Sequence, residues 1–296
     1  MRIVVAGSHG FIGTALLPVL RSAGHDVSVL VRRPASGPDE ISWDPARDVL
    51  ERHALRGVDA VVNLAGTNPG TRLLTDARKR DVVRSRVATT GLIARTLADL
   101  DDGPRVLLQA SGIGAYGDRG DVELDEQEPL GTTFFADVVR QWEAAAQPAV
   151  QAGVRVAFLR TGVVLGAGGG ALRPLWPILR AGLGGRLGSG RQYWSWISLL
   201  DEVRAIEYLL HADVAGPVNL VAGADRNADV VAALADAVHR PAAVPVPAFA
   251  LRLALRDFSS EVLGSVRAVP AALTGSGFEF RHGDIAAAAR WAAEQH

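Results

Sequence analysis

The sequence predicts an α/β protein built on a doubly wound parallel sheet, with a smaller α+β domain towards its carboxyl end. Three observations predict it. Residues 2–13 read RIVVAGSHGFIG, in which the apolar run Ile3, Val4, Val5 and Ala6 suits a strand buried on both faces of a parallel sheet, and Gly7, Gly10 and Gly13 follow at once. A helix-like LLPVL and a second strand over residues 26–31 complete a β-α-β unit of the expected length. Further strands are read at 58–64, 105–110, 154–159 and 217–221, with the last returning to the large sheet.

In that first unit, Gly7 permits a tight turn, Gly10 lets backbone approach a pyrophosphate, and Gly13 lets the next helix pack hard against the strand. The helix opening at Phe11 and Ile12 then points free N–H groups and its positive dipole end at the phosphates. This is a dinucleotide site on a Rossmann-like core. Pro18 falls inside that helix, where a lost backbone bond and a ring clash predict a kink or an irregular turn.

The end of the second strand selects the dinucleotide. An NAD site carries Asp or Glu there to accept from the ribose, whereas this chain has Val31-Arg32-Arg33, and Asp26 sits at the wrong end of the strand. Two guanidinium groups at Arg32 and Arg33 suit a 2′-phosphate, so the cofactor expected is NADP(H).

The composition limits the function classes. The net charge is −1, which leaves no basic field for nucleic acid or an anionic membrane. There is no cysteine, which excludes disulfides, thiolate catalysis and thiolate metal sites. Met1 leads straight into the first strand without a signal segment, and charged residues or Gly cut every apolar run before the ~18 residues of a membrane span. A cytoplasmic protein acting on a small molecule is expected. The histidines, His9, His25, His53, His211, His239, His282 and His296, read as scattered, with no pair at i, i+4 and no carboxylate-flanked cluster, so no metal is expected.

After a loop holding Trp43-Asp44-Pro45, the third strand ends in Asn63-Leu64-Ala65-Gly66, small residues that leave room for the adenine ribose and phosphates. A polar segment then leads into a helix through Leu97, whose Arg86 is a candidate to reach cofactor or substrate. The fourth strand delivers Ser111, followed by Gly112-Ile113-Gly114-Ala115-Tyr116-Gly117. The carboxylates Asp118, Asp121, Glu123, Asp125 and Glu126 read as a solvated acidic hairpin. Gly168-Gly169-Gly170 and Gly182-Leu183-Gly184-Gly185 mark tight or mobile connections, with a substrate lid starting at residues 172–176. Tyr193-Trp194-Ser195-Trp196 alternates as a strand with one packed face, and Ser198 with Asp201 reads as a cap for a helix running to His211. The remainder alternates helical stretches at 228–238, 249–255 and 284–293 with short extended pieces at 244–246 and 278–280.

These motifs carry a resemblance that runs nearly end to end. VVNLAG, SGIGAYGD, FFADVVRQWEAAA, LRTGVVLGAGGGAL, GGRLGSGRQYWSWISLLD and PVPAFALRL with VPAALTGSGFEF are similar to the extended short-chain dehydrogenase/reductase superfamily. More narrowly they resemble its atypical NADP-binding "epimerase family" proteins, which are related to nucleotide-sugar epimerases. The resemblance implies that Ser111 polarises a substrate carbonyl, that Tyr116 approaches the nicotinamide from a neighbouring loop, and that the run containing Val163 passes the nicotinamide end. It also implies a Tyr-x-x-x-Lys pair, which this chain lacks. Lys79 is its one lysine, and counting back from Glu143 puts Phe135 and Val139 at the two positions.

The organisation expected is therefore a dinucleotide-binding domain of residues 1–165 plus about 190–225, and a small substrate domain of 166–189 and 226–296. A homodimer through the two long helices after the third and fourth strands is expected. The function expected is hydride transfer on a carbonyl or hydroxyl carbon, and the alternative is a catalytically silent, NADPH-responsive binding protein.

Overall fold

The computed structural model describes residues 1–71, 73–170 and 172–295, so Ala171 of the glycine-rich run and His296 lie outside the described residues. Strand β1 (Arg2–Ala6), helix α1 (Phe11–Ser22) and strand β2 (Asp26–Val31) form the expected opening unit. Helix α1 is continuous through Pro18, so the irregular turn expected there does not form. Gly13, Leu16 and Leu20 are buried against the sheet, and that packing outweighs one missing backbone bond.

The stretch read as a loop around Trp43 instead holds β3 (Glu40–Asp44) and β4 (Val49–Leu50). They extend the sheet because Trp43 and Leu50 bury their side chains in the core beneath it. Strands β5 (Ala60–Asn63) and β6 (Val106–Gly112) follow within a residue or two of the expected ends, and helix α2 (Asp76–Ala98) ends as expected while taking in the polar segment read as leading into it. Next come β7 (Glu123–Leu124), α3 (Phe134–Ala144), α4 (Gln147–Gln151), β8 (Arg155–Thr161) and β9 (Val163–Leu165). After α5 (Leu175–Arg180), β10 (Tyr193–Ser198) leads into α6 (Leu199–His211), β11 (Gly216–Leu220) and β12 (Gly223–Arg226). The chain ends with α7 (Asn227–Ala237), α8 (Ala248–Leu255), α9 (Ser259–Leu263), β13 (Arg267–Ala268), α10 (Ala271–Gly275) and α11 (Ile285–Glu294).

Among the described residues the large sheet has the order β11-β8-β6-β5-β1-β2-β3-β4, parallel except for the β3–β4 pair. The chain moves outward from β1 to β2 and then crosses to β5 on the other side. The β1/β5 boundary is thus the switch point where an open α/β sheet leaves a crevice beyond its carboxyl ends. Separate cores fill its two faces, one containing α1 and α6 and the other α2 and α4.

Two small sheets lie outside it. In one, β10 runs between β9 and β12, so the alternating aromatics pack a strand of the smaller sheet. In the other, β7 pairs in parallel with β13, and the acidic stretch is therefore not a hairpin. Leu124 is buried there, and Glu126 accepts backbone N–H bonds from Asn219 at 2.9 Å and Ala272 at 3.2 Å. The extended piece expected at 244–246 forms only isolated bridges, Val246 to Leu187 and the preceding Ala243 to Gly185, and no strand is found at 278–280, where Phe278 and Phe280 instead pack edge to face. No helix among the described residues is long and apolar enough to cross a membrane.

Candidate active site

The glycine loop is shaped by steric necessity. Gly7 has φ +82°, and a Cβ there would stand 2.6 Å from the carbonyl carbon of Leu64 and 2.8 Å from the nitrogen of Ala65. A Cβ on Gly13 would lie 2.3 Å from the Gly7 oxygen. The loop after β1 therefore seats directly on the 64–65 backbone at the end of β5, with Leu64 N–H donating to Ala6 at 2.9 Å. Gly10 begins α1 without a side-chain cap and no acidic residue stands in the first turn, so nothing anionic competes for the N–H groups of the turn opened by Phe11 and Ile12. Phe11 itself packs under Gly166, Gly169 and Gly170, which brings the glycine-rich run across the start of α1.

The two arginines after β2 separate. Arg33 makes a bidentate pair with Glu40 at 2.6 and 2.7 Å, and that pair, with bonds from Ser36, lowers the Glu40 carboxyl to about 2. Arg32 is exposed and, among the described residues, carries no hydrogen bond or ion pair. Uncapped N–H groups, a glycine cradle and one unpaired guanidinium fit an anionic dinucleotide, with Arg32 better placed than Arg33 to receive an extra phosphate.

Asn63 is fully buried, donating to Gln109 at 2.9 Å and accepting from Ala65 N–H at 3.1 Å, so it holds the cradle from beneath. Arg86 lies beside Gly66, donates to the Thr67 oxygen at 2.8 Å and stacks on Trp142 at 4.6 Å. Burial, with the nearby charge of Arg78, lowers its guanidinium to about 10.

Ser111 and Tyr116 belong to one buried network. The Ser111 hydroxyl donates to Glu143 at 2.7 Å, and Arg160, opposite Ser111 across the β6–β8 ladder, holds the same carboxylate through two bonds of 3.0 Å. Arg160 also donates to the Tyr116 hydroxyl at 3.1 Å, which in turn donates to Asn219 at 2.8 Å. Burial opposes the charge of Arg160, but Glu143 and Tyr116 more than offset it, so the guanidinium is held firmly protonated. Tyr116 is 0% exposed, and burial raises its phenol above the ordinary range against the opposing pull of Arg160 and Asn219. The sequence places Tyr116 on a loop facing the nicotinamide; the structure places it in the core, as an anchor for Arg160. Val163 lies on β9 opposite Trp196, and its neighbour Gly162 packs against the Ser195 carbonyl.

Phe135 and Val139 are buried on α3. Beside Phe135 lies a group the sequence reading missed. Glu261, on α9, points its carboxylate at the 111–117 loop: an ideal Cβ on Gly114 would be 2.8 Å from Glu261 Oε2 and 3.3 Å from Phe135 Cβ. The segment is pinned by an ion pair between Lys79 and Asp257 and by Phe258 packed edge to face on Phe135 at 5.8 Å. Among the described residues the Glu261 carboxylate has neither a hydrogen bond nor a counter-ion, and burial lifts it to about 7. No local signal in SSEVL marks this residue, because its surroundings come from α2, α3 and the loop after β6. A second buried carboxyl, Glu202 on α6, accepts from Thr161 at 2.8 Å through one oxygen while the other has no partner, and burial lifts it to about 8.

Comparison with known proteins agrees with this architecture. The NAD dependent epimerase/dehydratase family matches residues 3–223, and a domain of unknown function, DUF1731, matches residues 246–292, the segment carrying Glu261. The chain is 43% identical over 293 residues to epimerase family protein MT2273 of Mycobacterium tuberculosis, spanning 98% of this chain and 97% of that one. The crystal structure of human epimerase family protein SDR39U1 (isoform 2) with NADPH has a TM-score of 0.90 at 33% identity, covering 99% of each chain. That of the nucleoside-diphosphate sugar epimerase from Corynebacterium glutamicum has a TM-score of 0.80 at 34% identity, covering 99% of this chain and 58% of that one. The glycine cradle at the switch point and a match over most of the sheet lead to one assignment: the chain belongs to the NAD dependent epimerase/dehydratase family.

Proposed function

We propose that the chain binds NADP(H) and transfers hydride to or from a carbonyl or hydroxyl carbon of a small molecule, with Glu261 as its proton-transfer group. The observation that carries the cofactor reading is the cradle itself: Gly7 and Gly13 admit no side chain, the first turn of α1 is uncapped, and Arg32 stands unpaired after β2. The nicotinamide, when bound, supplies the hydride. The N–H groups at residues 11–13 and the 64–66 backbone hold the phosphates, and Arg32 takes the 2′-phosphate, which the ion pair with Glu40 makes a weaker role for Arg33. Kinship to a nucleoside-diphosphate sugar epimerase makes a nucleotide sugar the first substrate class to try.

The proton has to come from somewhere other than α3, where two apolar side chains fill the Tyr and Lys positions. Ser111 orients the loop, since its own proton is donated to Glu143. Glu261 touches the same loop and, unlike Glu143 and Arg160, has no hydrogen bond or counter-ion among the described residues. In the reducing direction its carboxyl gives a proton to the substrate oxygen as the carbon gains hydride, and the carboxylate regains one from solvent. A group titrating near neutrality serves both directions, and such help is worth roughly 10²–10⁴ in rate.

Buried Phe135 and Val139 favour a second reading, a silent NADPH-responsive binding protein. Calorimetry with NADPH and NADH, followed by turnover over a panel of nucleotide sugars and small carbonyls, separates the readings. Absence of heat with either nucleotide overturns the cofactor site, and binding without turnover across the panel favours the second reading. Turnover that survives Glu261→Gln at full rate and with an unchanged pH profile removes Glu261 from the mechanism while leaving the cofactor site intact.

A further inference from the structure

At the opposite end of the strands from the cradle, His25 lies in the turn between α1 and β2, at the amino end of β2. Glu207 and His211 are one turn apart on α6, which packs along α1, so the two side chains share a face and meet His25 across the helix pair. Glu207 Oε1 is 3.6 Å from His25 Nε2 and 3.7 Å from His211 Nε2, and one donor atom from each residue lies within 4.8 Å of the others. The two imidazoles are stacked, with ring centres 5.6 Å apart and planes at 28°. Residues that read as scattered in sequence are gathered by the fold.

The arrangement leaves a donor unspent. The His25 side chain is 6% exposed, its Nε2 is buried, and this atom has no hydrogen-bond partner, because the Glu207 oxygen stands beyond bonding range. Its other nitrogen, Nδ1, lies 3.3 Å from the Met1 nitrogen, which fixes the ring with Nε2 turned towards Glu207 and His211. A buried nitrogen aimed at a carboxylate and a second imidazole, at distances too long for hydrogen bonds, has the spacing of ligands around an ion. Four donors around zinc at its usual bond lengths stand about 3.3 Å apart, close to the two measured edges.

We propose that His25, Glu207 and His211 bind a divalent d-block cation of the zinc class, which clamps the α1–β2 turn to α6. Two imidazoles and a carboxylate suit zinc, cobalt or nickel, whereas magnesium and calcium require a shell of oxygens. Water completes the fourth position, on the exposed side where His211 lies. Binding needs the Nε2 lone pair of His25, so in the metal-bound form the ring proton resides on Nδ1 and the Met1 nitrogen accepts it as the free amine, whereas the ammonium donates to Nδ1 and keeps the ring proton on Nε2 in the metal-free form.

The test is titration of chelator-treated, full-length protein with Zn²⁺ by calorimetry, and with Co²⁺ by visible absorption, which reports ligand geometry. One equivalent per chain is expected, with a tetrahedral cobalt spectrum and a Tm that rises with zinc. His211→Ala should weaken zinc binding by about tenfold or more and abolish the Tm rise. His211 is 55% exposed, so this variant keeps the fold, and an unchanged circular dichroism spectrum checks it. His25→Gln, which preserves size and polarity, should have the same effect. No zinc binding, binding undiminished in both variants, or calcium bound as tightly as zinc overturns the proposal.

Discussion

Arg32 and Arg33 are neighbours in sequence and opposites in circumstance, one free and the other locked to Glu40. Arg32→Ala should therefore weaken NADPH by about 1.5–3 kcal/mol, roughly tenfold or more, while leaving NADH nearly unchanged. Calorimetry with both nucleotides measures it, and equal losses would refute the 2′-phosphate assignment. Beneath the loop after β6, Glu143 is the partner of a guanidinium that is 5% exposed. Glu143→Ala leaves Arg160 buried and unpaired, and a loss of about 3–5 kcal/mol is expected in urea denaturation. The residue types at these places were legible, since Arg32, Ser111 and Tyr116 all stand out in the sequence. What their surroundings do to them was not, because Glu40 takes Arg33 and leaves Arg32, while Glu143 and Asn219 reach Ser111 and Tyr116 through tertiary contact.

At the scale of elements, helix starts were the most readable feature, because a cap acts within three residues. Ser198 accepts from the Asp201 N–H at 3.1 Å, as the sequence predicts, and Asp284 caps α11 in the same way. The Ser198 hydroxyl lies 2.9 Å from His282 Nδ1 as well, so its removal touches the last segment of the chain too. Ser198→Ala should cost about 1–2 kcal/mol, read from the midpoint shift in chemical denaturation. Short strands were the least readable. Strands β7 and β13 are two residues each and exist only because each pairs with the other across almost half the chain. Their propensity is weak and their partner is remote, so no local pattern announces them.

For the molecule as a whole, two buried carboxyls weaken the fold as pH rises. Glu202 is raised to about 8 and Glu261 to about 7, both by burial, from an ordinary value of 4.5. A carboxyl raised in the folded state binds more protons there than in the unfolded chain, so the contribution of these two to stability is greatest below about 4.5 and falls as pH rises towards the folded values, whereas Glu40, held at about 2, makes a contribution that is lost as pH falls below about 4.5. Glu202→Gln keeps an acceptor for Thr161 and removes the charge. The variant should lose most of this decline between about 4.5 and about 8, and should exceed the wild type in stability above that window, as urea midpoints across it will measure.

By itself the sequence determined the doubly wound sheet, the glycine cradle and the family, because each rests on contiguous signals: strand hydrophobicity, turn glycines and helix caps act over a few residues. Tertiary structure alone decided which arginine is free, that Tyr116 is sealed in the core, that Glu261 stands beside Phe135, and that His25 meets Glu207 and His211. Those outcomes depend on desolvation and on distances between groups far apart in the chain, quantities that exist only once the layers have packed.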